Sequence, residues 1–98
     1  MEQALQKFLR KMISEKYPVV LDVHVNELGR FHPNKKRCYE VFLIIFEDDW
    51  NNMGDRFGIE VEEYIENLSK YMNVSICGVF NEKVNEKEWE EMKKDNKD

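Results

Sequence analysis

Ninety-eight residues, 42% of them apolar and 36% charged, make one domain with a modest core and a highly charged surface. The formal net charge of −5 repels phosphate and argues against general nucleic-acid binding. No apolar run approaches the roughly 18 residues of a transmembrane helix, and the N-terminus lacks the basic start and long apolar core of a signal peptide, so a cytoplasmic protein off the membrane is expected.

Leu5, Phe8, Leu9, Met12 and Ile13 recur at helical spacing and predict an amphipathic helix over about residues 3–16. Pro18 ends it, because the residue before a proline is driven toward extended geometry. A strand follows over about 19–28, with Val19, Leu21, Val23 and Val25 on one face and Asp22, His24 and Asn26 on the other. Residues 29–37 form a loop rich in breakers and cations. The second strand, about 38–48, contains six apolar residues in a row, Val41 to Phe46. A strand with one wet face alternates; a run without alternation needs cover on both faces. Over so short a connection the two strands form an antiparallel hairpin with a basic tip.

Residues 47–58 read as an acidic loop, its turns closed by Asn and Asp side chains and Trp50 packed as a lid on the end of the sheet. Val61, Tyr64, Ile65, Leu68 and Met72 predict a second helix over about 59–72, acidic in its first turn and basic in its last. A third strand spans about 74–80. A final helix starts near Asn85, where Asn85 and Glu88 have capping-box spacing and Val84 and Trp89 that of a hydrophobic staple. The domain covers 1–92, and the charged tail 93–98 is expected to fray. The order α-β-β-α-β-α makes an α+β domain, a three-stranded mixed sheet with two helices on one face and a short C-terminal helix. The most apolar strand belongs in the middle, so the expected order is 1-2-3, with 2-1-3 as the alternative. A right-handed crossover makes strands 2 and 3 parallel.

The second sheet face then presents alternate residues of strand 2, namely Phe42, Ile44 and Phe46, with Cys77 and Val79 of strand 3; Trp89 and Met92 of the last helix lie against it. An apolar face of this kind points to a non-enzymatic interaction module, acting through self-association or by docking a protein partner. The alternative is nucleic-acid binding at the hairpin tip, where Arg30, Phe31, His32, Lys35, Lys36 and Arg37 combine cations with an aromatic ring. Only residues 1–46 favour an anion, with eight Lys/Arg against five Asp/Glu; residues 47–98 have seven against fifteen.

Other constellations are incomplete. Asp49, Asn51, Gly54, Asp55 and Glu60 follow the count of a calcium loop, but Met53 stands where an oxygen ligand is required. His24 beside Asp22 has the makings of a general base, without a nucleophile in motif context. Asp22 and Glu40 resemble a metal pair on adjacent strands, without the lysine a nuclease core needs. Glu82, Glu86, Glu88, Glu90 and Glu91 around Trp89 make an acidic surface of the kind that mimics phosphate. No cofactor, metal or small-molecule substrate is therefore expected. Cys38 and Cys77 read as buried thiols of a reducing compartment, able to form a disulfide only where the strands place them side by side.

Overall fold

The computed structural model describes residues 2–30 and 37–95. Its elements are α1 (Glu2–Lys16), β1 (Asp22–Arg30), β2 (Arg37–Phe46), α2 (Glu47–Met53), α3 (Asp55–Met72), β3 (Ser75–Val84) and α4 (Glu86–Asp95). The sheet order is β1-β2-β3, with β1 antiparallel to β2 and β2 parallel to β3. The α+β architecture is the one the sequence predicts.

Helices α1 and α3 cover one side of the sheet. Leu5, Leu9 and Ile13 from α1 and Phe57, Val61, Ile65 and Leu68 from α3 meet Val23, Val25, Tyr39, Val41, Leu43 and Ile45 from the strands. Full burial of a Val, Leu, Ile or Phe side chain is worth about 1.5–3 kcal/mol, so this layer is the main source of stability. Strand β1 starts later than expected because residues 18 and 19 turn, with Val20 N–H donating to the Tyr17 carbonyl at 3.0 Å.

The segment 47–58 corrects the sequence reading. It is not a loop but two helices that meet at Gly54, whose φ of 76° lies in the left-handed region that favours glycine. Glu47, Asp48 and Asp49 occupy the first turn of α2, where negative charge suits the helix dipole. Gly58 lies inside α3 and serves as a packing seat: a Cβ there would come within 2.9 Å of the Trp50 ring. Trp50 packs edge-on against Phe57 at 6.2 Å, and the Lys83 ammonium lies 5.0 Å from its ring centre. A calcium-loop geometry is absent here, and among the described residues no group of three or more His, Cys, Asp or Glu side chains is placed to hold a metal.

Strand β3 runs to Val84, four residues beyond the expected end, because Asn81–Val84 pair with Leu43–Phe46. Helix α4 continues through Asp95, with Lys93 paired to Glu90 at 2.9 Å. Among the described residues no helix is long and apolar enough to cross a membrane.

Candidate interaction face beside an open sheet edge

The side of the sheet away from α1 and α3 is set by register. Asp22, His24 and Asn26 of β1 stand opposite Ile44, Phe42 and Glu40 of β2; these in turn face Glu82, Phe80 and Gly78 of β3. The register slips between Tyr39 and Glu40, since Tyr39 pairs with Ile76 and Glu40 with Gly78. Cys77 is therefore the extra residue of a bulge. That single insertion changes the composition of the face. Val79 was expected on it, but Val79 pairs with Val41 and packs into the helix-side core. Phe80 takes its place, 47% exposed. A glycine inside a strand pattern is the signal for such a bulge, and Gly78 carries it.

Helix α4 closes part of this face. Glu88 N–H donates to Asn85 Oδ1 at 2.8 Å, and Asn85 N–H donates to Glu88 Oε1 at 3.1 Å, completing the capping box. Val84, just before the cap, is buried. From there α4 brings Trp89 and Lys93 to a groove shared with Arg10, Asp22 and His24. Trp89 and Met92 are half-buried. Ile44 is fully buried, so it belongs to the closed part and is not available as a contact. Phe46 and Phe42 are half-buried, and Cys77 is exposed. The open remainder centres on Phe42, Phe80, Gly78 and Cys77. The Phe42 and Phe80 rings stack with centroids 5.3 Å apart.

The two edges of the sheet differ. At β1, the Gln6 carboxamide oxygen accepts from Val25 N–H at 2.8 Å, and the Arg10 guanidinium donates to the Val23 carbonyl at 3.2 Å. Helix α1 thus supplies polar partners to the outer backbone of β1 and closes that edge. Asp22 holds Arg10 in place through a 2.5 Å ion pair and also accepts from Val23 N–H at 2.8 Å. Along β3, among the described residues, no side chain makes an equivalent bond to the outer backbone.

The remaining sequence candidates sort as follows. His24 Nε2 is 3.4 Å from Asp22 Oδ2, yet no serine or cysteine lines their groove. Asp22 lies opposite Ile44 while Glu40 lies opposite Asn26 and accepts from it at 3.3 Å, so the two acids do not converge. At the hairpin, Arg30 and Arg37 are cross-strand neighbours and Arg37 pairs with Glu27 at 3.4 Å. Phe31, His32, Lys35 and Lys36 lie outside the described residues. The five glutamates near Trp89 are exposed, with Glu88 engaged in the cap and Glu90 with Lys93. Comparison with protein-family models, with curated proteins and with solved structures finds no match.

Proposed function

We propose that this chain is a non-enzymatic cytoplasmic interaction module that binds a second copy of itself through β3 and the adjoining open part of the sheet. The observation that carries the reading is Phe80, a large aromatic half-exposed beside a strand edge whose outer backbone has no partner among the described residues.

Two aromatic side chains bury about 150–250 Å² each, short of the roughly 800 Å² per partner of a standard interface. Backbone pairing along the ten residues of β3 supplies the difference. The occupant is a second copy because the edge is self-complementary when run antiparallel about a two-fold axis. Its charge also suits this. Glu82 and Lys83 cancel within β3, in a chain whose net charge of −5 otherwise opposes association. Lys83, which would blunt an edge, is drawn back over Trp50. Centring the axis on Phe80 sets the two Phe80 rings together and places each Glu82 opposite a Gly78, where there is no side chain to crowd it.

The test is mass in solution by light scattering, for wild type and for Phe80→Asp. A concentration-dependent species near twice the 11.9 kDa chain mass, lost in the variant, supports the reading. A wild-type monomer at every concentration rejects it.

A further inference from the structure

We propose that Cys38 and Cys77 form an oxidisable dithiol that closes into an intramolecular disulfide between β2 and β3. The two residues sit on adjacent parallel strands, and neither is in a disulfide. Cys38 is fully buried and Cys77 is exposed. In a regular ladder Cys77 would stand opposite Glu40, one full side-chain step beyond Cys38. The bulge withdraws it toward Cys38, because Gly78 takes the place opposite Glu40. Ile76 packs into the helix-side core, so Cys77 turns to the other side of the sheet, where Cys38 also lies. There the two thiols are neighbours, near enough for Cys38 to act on the Cys77 thiol.

The pair divides the labour of a two-step oxidation by a peroxide. The Cys77 sulfur, the accessible one, attacks a peroxide oxygen as its thiolate. The O–O bond breaks, one hydroxide leaves and takes up a proton, and Cys77 becomes a sulfenic acid. The Cys38 sulfur then attacks the Cys77 sulfur. The S–O bond breaks, the hydroxyl departs with the Cys38 proton as water, and the S–S bond forms. Two thiols are oxidised by two electrons and one hydrogen peroxide becomes two waters. Cys38 is shielded from the reagent and needs no access to it, because its partner is already in contact.

Partial desolvation of the thiol, in a residue that is exposed as a whole, pushes Cys77 above its ordinary pKa, with the nearby Cys38 and Glu40 acting in the same direction. The thiolate is therefore scarce near neutral pH, and oxidation accelerates as pH rises. This inference does not depend on self-association.

The experiment treats the full chain with hydrogen peroxide and reads intact mass and a non-reducing peptide map. The expected result is a single-chain product about 2 Da lighter, linked Cys38 to Cys77 and restored by dithiothreitol. Cys77→Ser, an exposed substitution compatible with folding, abolishes that product. Oxygen addition on Cys77 without a linked peptide, or a disulfide only between two chains, overturns the proposal. If wild type gives the linked product at the same rate in urea as in buffer, the fold is not what brings the thiols together, and the proposal is likewise overturned.

Discussion

The ring of Phe80 lies across the β2–β3 pair onto Phe42, with planes 23° apart, and also passes over Gly78 so closely that a Cβ there would fall 2.8 Å from it. The bulge residue pair Cys77–Gly78 and the exposed aromatic are therefore one arrangement. The glycine gives the ring its resting place, and the ring covers backbone that a side chain would otherwise cover.

Gly78→Ala is expected to push Phe80 off the stack, since the clashing atoms are the far end of a side chain that can rotate away. An aromatic pair contributes about 0.5–1.5 kcal/mol beyond area burial, so a loss of about 1 kcal/mol in urea unfolding is the expected size. Phe80→Ala in the Gly78→Ala background should cost clearly less than Phe80→Ala alone. Additive costs would show that the two positions are uncoupled.

Removing the edge closure of β1 should be visible locally before it is visible globally. Gln6→Ala takes the acceptor from Val25 N–H, at a cost of about 1 kcal/mol. Amide exchange at Val25 should quicken in the variant while amides in the centre of β2 change little. Unchanged protection at Val25 would mean that Gln6 does not hold the edge.

Tyr39 is fully buried, and its hydroxyl has no hydrogen-bond partner among the described residues. A buried polar group without a partner costs about 1–3 kcal/mol. Tyr39→Phe keeps the ring and removes the hydroxyl, and it is expected to raise the unfolding midpoint. A fall in the midpoint would point to a partner for that hydroxyl.

The capping box at Asn85 fixes the start of α4, which carries Trp89 and Lys93 to the groove beside Asp22 and His24. Asn85→Ala should cost about 1 kcal/mol through loss of its side-chain acceptor for Glu88 N–H. The helical circular-dichroism signal should fall before the sheet unfolds. A fully two-state transition at reduced stability would mean instead that α4 and the sheet unfold together.

Alkaline pH should weaken the fold. The Cys77 thiol is held above its ordinary 9.0 by partial desolvation first and then by Cys38 and Glu40, and the Tyr17 hydroxyl above its ordinary 10.0 by desolvation first and then by Glu60 and Tyr64. Both groups are more easily ionised in the unfolded chain. Their stabilisation is complete below pH 9 and declines as pH climbs through and beyond 10. Urea midpoints from pH 7 to 11 check this, and Cys77→Ser should remove the earlier part of the decline.

Much of the architecture was legible because apolar spacing dominates it. The unbroken run from Val41 to Phe46 marked a central strand with cover on both sides, and Leu43 and Ile44, pointing oppositely, are both buried. The cap at Asn85 was legible because two side chains at fixed spacing make it. The face was legible only in part. Period-two counting put Cys77 and Val79 together, and one inserted residue moved Val79 to the core and brought Phe80 out. The α2–α3 helices were hidden because Gly54 and Gly58 look alike in a sequence. One turns the chain and the other seats a tryptophan, a distinction that only the packed structure makes. The closure of β1 by Gln6 and Arg10 had no signal, since both are ordinary surface residues of a helix until the strand arrives beside them.

That closure limits how large an assembly would follow from the proposed self-association. A sheet with two exposed edges can add copies without limit and grow into a fibre. Here α1 seals one side from within the same molecule. In the dimer proposed above, addition at β3 would use up the edge that the described residues leave open in each copy, and the product would present β1 at both ends. In the proposed dimer growth stops at two, and the polar side chains of a single helix would be what terminates polymerisation.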